Sequence, residues 1–291
     1  MYLCKLVLLF LEMNNYITIN DAVACIKEMI EDSIRNGGEA AKNNLIRSQQ
    51  PINLLHNATK ASFIDLGVKP EYIHPPYGSH NGELKLAGFF KFKDQDVCLR
   101  SSELQPTPEI LSFDGILKGK KDIYGKELTE KILSVNVRSQ LSSLAKNFDT
   151  LYERTYAEAL NLHLRCPKMV LGELYMIPVL EYDDNLARNN QVGFKPNRRI
   201  QSHIEKYLFS FGAINNRVTS TGEEYKYEKV CLLIVDFSQS TPVIYNTDEE
   251  LREAGLISDN TTASIEGMNF SNFCSSLLSI YQDRFDNSLR L

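Results

Sequence analysis

KMVLGELYMIPVL, residues 168–180, decides the architecture. Apart from Lys168 and Glu173 it carries no charge, and its apolar residues do not alternate with polar ones. A strand with one wet face alternates, whereas a strand covered on both faces does not. The segment therefore reads as an interior strand of a sheet with helices on each side. KVCLLIVDF, residues 229–237, reads the same way. Just upstream, ILSVNVRSQ (132–140) does alternate: Val135 and Val137 face one way, and Ser134, Asn136, Arg138 and Gln140 the other. Between the two comes NFDTLYERTYAEALNLH (147–163), with an inner helical stripe of Phe148, Leu151, Thr155, Ala159 and Leu162. Arg154, Glu158 and Asn161 then share its outer face. The pattern predicts an α/β (α+β) protein, a mixed sheet flanked by helices.

Toward the N-terminus the chain reads as helical. Asn20 is a suitable N-cap for DAVACIKEMIEDSIRN, Gly37-Gly38 ends that helix, and a further helix opens at Pro51 and closes at Gly67. Residues 1–72 form an N-terminal helical segment and residues 73–291 an α/β core with a C-terminal extension, together one structural domain. HPPYGSHNG (74–82) is a loop, in which His74 and His80 fit a turn better than a zinc site. ELKLAGFFKF and DVCLR read as strands, residues 101–130 and 183–200 as irregular, PVIYNT as a short strand and 268–285 as a closing helix.

The formal net charge of -5 excludes a uniformly basic coat protein, but the charge is segregated. Residues 187–217 hold six basic residues and one acid, whereas residues 232–291 hold nine acids and three arginines. The six cysteines show no metal-like spacing and read as reduced thiols of a cytoplasmic protein. MYLCKLVLLFLE, residues 1–12, is too short to span a bilayer and lacks a cleavage site, and Met13 is an alternative start.

The chemistry gathers in GFFKFKDQDVCL, residues 88–99, and in the strand that follows. Asp96 opens a strand, and Asn136-Val137-Arg138 supplies alternate polar residues on a neighbouring one. A carboxylate that holds a divalent metal beside a fixed cation suits phosphodiester hydrolysis, whose transition state gains negative charge. Taken alone, Asp94 and Asp96 equally suit a charged edge strand, and Glu158 an i,i+4 partner of Arg154 on a helix surface. Glu173 reads as a buried acid paired with an arginine.

LAGFFKFKDQDVCL and VNVRSQLSSLAKNFDTLYERTYAEALNLH together resemble the PD-(D/E)xK restriction endonucleases, most closely the XhoI-like group. The resemblance covers residues 86–180 and implies a restriction-endonuclease-like fold and Mg²⁺-dependent, sequence-specific cleavage of duplex DNA. It implies a homodimer and a cognate DNA methyltransferase as partners, and no membrane. Asp96 takes the role of the metal-binding acid, Arg138 that of the phosphate-stabilising cation, and Asn136 or Gln140 that of orienting water or metal. The family's acid-x-lysine reads Asn136-Val137-Arg138 here, so the second acid comes from elsewhere: Glu158 first, then Glu153, then Glu83, which forms an acid-x-lysine pair with Lys85. Asp114 is a substitute for Asp96. Lys91 and Lys93 track the DNA backbone. Apart from the resemblance, Lys118, Lys120 and Lys121, with Lys195, Asn197, Arg198 and Arg199, read either as solvated loops or as further DNA contacts that neutralise phosphates, the last three suited to base edges. The alternatives are a non-specific repair or defence nuclease, or a catalytically inactive DNA-binding module.

Overall fold

In the computed structural model, residues 16–79, 81–285 and 289 are described, so the apolar start, Cys4, Met13 and His80 lie outside them. The elements in chain order are α1 (Ile19–Arg47), α2 (Gln50–Asp65), β1 (Ile73–His74), β2 (Leu84–Ala87), β3 (Phe92–Gln95) and β4 (Val97–Leu99). There follow β5 (Glu109–Ile110), β6 (Lys121–Asp122), α3 (Lys126–Glu130), β7 (Leu133–Ser139), α4 (Leu144–His163), β8 (Val170–Pro178) and α5 (Asp184–Arg188). The described chain closes with α6 (Ile200–Ala213), β9 (Lys229–Asp236), β10 (Val243–Tyr245), α7 (Asp248–Glu253) and α8 (Phe273–Phe285).

Six strands form one mixed sheet in the order β1-β4-β7-β8-β9-β10. β7, β8 and β9 run parallel, and the outer pairings are antiparallel. Parallel neighbours require a crossover; α4 supplies it between β7 and β8, and α6 lies in the connection from β8 to β9. β8 is buried along its whole length, as its nearly all-apolar run requires. Its alternate residues serve two cores. Val170, Leu174 and Met176 join Val135 and Val137 against Ile26 and Ile30 of α1, Leu55 of α2 and Leu277 of α8. Leu171, Tyr175 and Ile177 pack with Ala159 and Leu162 of α4 and Tyr207 and Phe211 of α6. The molecule is thus three layers, helices on both faces of a sheet, with the N-terminal helices lying directly on it.

Several local expectations need correction. Thr18, not Asn20, caps α1: its hydroxyl accepts from Asp21 N at 3.2 Å, and the Asp21 carboxylate accepts from Thr18 N at 3.1 Å. Gly37-Gly38 kinks that helix instead of ending it. Gly38 takes φ +64°, and a Cβ there would lie 2.9 Å from Ala187 O of α5, so the bend makes room for a close neighbour. Residues 84–95 are a hairpin, β2 against β3, whose turn contains the Phe89-Phe90 pair, and only then does β4 enter the main sheet. Glu158 and Asn161 of α4 face inward, each about 1% exposed, although α4 carries Arg154 outward. The excursion 100–132 is not wholly irregular: β5 and β6 pair within it. Arg165 pins it, pairing with Glu109 and with Asp122 at 2.6 Å and donating to Ala87 O at 2.8 Å. The stretch 183–200 contains α5, and the last helix starts at Phe273.

Cys25, Cys98, Cys166, Cys231 and Cys274 are buried, and no helix of the described residues is long and apolar enough to cross a membrane.

β8 can pass beneath α8 because Gly172 has no side chain. A Cβ there would stand 2.7 Å from Leu277 Cδ1, 3.0 Å from Phe273 Cζ and 3.2 Å from Val135 Cγ2. Gly172→Ala is therefore expected to destabilise the fold by about 1–3 kcal/mol through overpacking, read as a lower urea midpoint at unchanged slope.

Candidate active site

Asp96 sits at the bend between β3 and β4, beside the point where β4 pairs with β7 through Val97 and Val135. Its Oδ2 accepts the Val137 N–H at 2.8 Å, which fixes the carboxylate against β7. No hydrogen bond from a described residue engages Oδ1, and Asp96 lines a cleft of about 540 Å³. Glu83, Asp94, Lys91, Lys93, Arg138, Arg154 and Glu158 line the same cleft. Residues from β3, β7 and α4 thus meet in one place, as the alternation of β7 and the crossover of α4 dictate.

Glu158 is the most engaged of these groups. Its carboxylate accepts from Lys93 Nζ and Arg138 Nη2 in two very short contacts and from Arg154 Nε at 3.3 Å. Arg138 also donates to Thr155 Oγ1 at 2.8 Å, and its Nη1 lies 3.1 Å from Glu173 Oε1. Burial works to lower the Arg138 guanidinium, but the neighbouring charges, Glu173 foremost and Asp96 with it, hold it above the usual range. Asn136 lies beneath, 2% exposed; its Oδ1 accepts from Lys93 Nζ at 3.0 Å and its Nδ2 donates to the Tyr227 hydroxyl at 3.3 Å. That hydroxyl donates to Thr155 O at 2.7 Å, closing a polar floor under the cleft.

The electrostatics follow from burial. Desolvation, aided by the Arg138 charge, pulls the Lys93 ammonium down to about 8. Complete burial pushes Glu173 up to about 7, against the pull of Arg138 and Lys93. Glu83 is raised by burial and by the like charges of Asp96 and Asp94. The acids at the cleft therefore repel one another, a strain that a cation relieves.

The sequence-derived residues divide into those the fold brings together and those it does not. Asp96, Glu83, Lys91, Lys93, Arg138, Glu158 and the submerged Asn136 converge. Glu158 does pair with Arg154 four residues earlier, but from a buried position rather than on the helix surface, and its carboxylate is occupied by three cations rather than held open for a metal. Gln140 is turned away: its Oε1 accepts from Tyr175 and Tyr207 hydroxyls at 3.0 and 2.6 Å, and its amide donates to Ser143 O and Leu144 O at 3.1 and 3.2 Å. It braces the start of α4. Glu153 and Lys85 do not line the cleft, and Asp114 is exposed and paired with Lys118 at 2.6 Å. Lys118, Lys120 and Lys121 are exposed on the excursion, outside the cleft. Lys195 pairs with Asp184 at 2.6 Å, Asn197 contacts His203 at 3.2 Å, and Arg198 and Arg199 are exposed ahead of α6. Lys93 was read as a backbone tracker, yet it joins Asn136 to Glu158. Strand alternation across Lys91, Lys93 and Gln95 was the available signal. Tyr227 and Thr155 gave no polar signal, since a tyrosine before a buried strand and a threonine on an apolar stripe read as core.

Comparison with protein-family models, with curated proteins and with solved structures finds no match for the chain.

Two expectations follow. Glu158→Gln leaves Arg138, Lys93 and Arg154 without their shared anion and lowers stability by about 3 kcal/mol, at the low end for a broken buried pair because the cations reach the cleft. It is checked by urea unfolding. For pH, Glu173 binds its proton more tightly folded than unfolded, so stability is present below about 4.5 and falls as pH rises through about 7. Glu173→Gln removes that decline, which paired unfolding curves across this range detect.

Proposed function

We propose that the chain is a Mg²⁺-dependent endonuclease that cleaves a specific sequence in duplex DNA, with the architecture and reaction of the PD-(D/E)xK restriction enzymes. The observation that carries the reading is the meeting, in one cleft of about 540 Å³, of open acids Asp96, Asp94 and Glu83 with cations Lys93, Arg138 and Arg154. The parallel pair β7 and β8 joined by α4, with β4 antiparallel beside β7, supports the same reading.

Asp96 is the residue to hold Mg²⁺, with Glu83 and Asp94 on the same cleft wall. Asp96 Oδ1 takes no hydrogen bond from a described residue, and the mutual repulsion at Glu83 favours a cation. Among the described residues no three acids, histidines or cysteines stand close enough to form a metal cage, but Mg²⁺ commonly keeps several waters and needs only one or two carboxylates, which Asp96 with one neighbour would supply. When bound, the metal supplies a nucleophilic water near neutral pH and shields the phosphate charge. Arg154, its side chain 64% exposed, meets the backbone first. Arg138, fixed by Glu158, Glu173 and Thr155, stabilises the charge that grows on the non-bridging oxygens. Arginine cannot release a proton at working pH, so the amine able to exchange one is Lys93 Nζ, lowered to about 8. Duplex DNA, a second copy related by two-fold symmetry and a methyltransferase are the partners this reading entails.

A DNA-binding module that does not cut is the second reading. It is favoured by the capture of Glu158 by three cations, which leaves no second acid from α4 for a metal. One experiment separates the two. Unmethylated DNA is incubated with the protein and Mg²⁺ or EDTA, beside Asp96→Asn. Discrete fragments with Mg²⁺ alone, reduced at least about 100-fold in the variant, are the expected result. Salt-sensitive retention of uncut DNA under both conditions replaces the nuclease with the binding module.

A further inference from the structure

The turn that joins β2 to β3 displays an aromatic ring beside the cleft and is held more firmly than a connection requires. Gly88 N donates to Lys91 O at 3.0 Å, closing the turn. Asn161 of α4 then binds it at four points. Asn161 O accepts from Phe89 N at 2.7 Å, and Oδ1 accepts from Phe90 N at 2.7 Å and Lys91 N at 3.0 Å. Asn161 Nδ2 donates to Lys91 O at 3.1 Å. A Cβ on Gly88 would fall 2.2 Å from Asn161 Nδ2, so the approach is as close as backbone permits. Held this way, Phe90 remains 48% exposed, while Asn161 itself is 1% exposed.

The ring is not isolated. Phe90 meets Phe89 edge to face at 5.1 Å, and Phe89 stacks on Phe113 at 5.1 Å. Phe89 and Phe113 line, with Ile110, Leu164 and the polar Glu109, Lys126 and Arg165, a hollow of about 240 Å³. Phe90 stands in the turn between Phe89, which lines this hollow, and Lys91, which lines the cationic cleft. A cationic groove continuous with an exposed aromatic is the pairing a nucleic-acid strand requires: phosphates in the groove, a base face on the ring.

Resting on the reading of the cleft as a phosphodiester site, we propose that Phe90 is a base-binding residue, stacking on a nucleobase unstacked from the duplex beside the scissile phosphate. Lys91 takes the adjoining phosphate, and Asn161 is a positioning residue that keeps the ring aimed. A phenylalanine that enters a base step opens it and kinks the duplex, which turns local deformability into selectivity.

The test titrates the full chain with short duplexes carrying 2-aminopurine at successive positions, in Ca²⁺ in place of Mg²⁺, at several salt concentrations. Wild type is expected to brighten one position as the base leaves the stack. Phe90→Ala removes that signal and weakens binding by roughly 10- to 100-fold with the salt slope unchanged. Phe90→Trp retains both. Lys91→Ala keeps the signal and lowers the salt slope by about one unit. Phe90→Ala that binds and brightens like wild type overturns the inference alone. Wild type that binds no nucleic acid at any salt overturns the inference together with the reading of the cleft. Phe90 is surface-exposed, so folding is not at issue in its variants; unchanged unfolding curves verify this.

Discussion

A carboxylate removed from water requires compensation, and the burial of Glu158 organises the region around it. Taking an ion out of water costs several kcal/mol even after relaxation, and the interior tolerates it only where opposite charges and hydrogen bonds replace the lost solvent. Glu158 obtains three cations, from β3, β7 and its own helix. Each is thereby fixed at a distance from the others that no loop could maintain. Arg138 is held further by Glu173 and Thr155, so its guanidinium is fixed in place by the fold itself. The desolvation that destabilises the charges singly makes them effective jointly, since electrostatic interactions strengthen as water is excluded.

The three-layer arrangement makes this possible. Side chains of β7 alternate, giving Val135 and Val137 to the core under α1 and α2 and turning Asn136 and Arg138 toward α4. The parallel step from β7 to β8 places Glu173 beside Asn136 in register. α4, as the crossover, lies over this polar face, and its inner side must be polar where the strand beneath is polar. Apolar burial holds the sheet on one side, while on the other an apolar core and a charged floor share a single helix.

The central strands were legible because burial on both faces leaves a run that is nearly all apolar, as at 170–178, broken only by Glu173, and at 230–235. The alternation of β7 was legible for the same reason of period. The orientation of Glu158 was not: a helical wheel places acids outward by default, and only a partner strand bearing Arg138 and a hairpin bearing Lys93 reverses that default. Asp96 and Arg138, singled out by the resemblance, do reach one cleft, yet the position of Lys93 depended on a hairpin fold-back invisible in a stretch that scans as one strand. Gln140 has the alternation of a cleft residue but lies where two tyrosine hydroxyls claim its oxygen, contacts made across many residues of chain. The kink of α1 depends on such a remote neighbour too: Gly38 looks like a helix stop until Ala187 is packed against it.

Arg165 has a further effect through the polymer statistics of the chain. β4 and β7 are hydrogen-bonded neighbours joined by the whole excursion 100–132, a long contour to close for a short ladder. By gripping Glu109 and Asp122 on either side of the tip, Arg165 divides that contour into an anchored base and a distal arc. Closure entropy grows only with the logarithm of length, about 0.6 kcal/mol for each doubling. A residue added to the arc between residues 110 and 121 therefore adds little closure cost to the β4–β7 ladder, so what holds the arc in place is the packing of Leu111 and Leu117 against Ala87 rather than the length of chain.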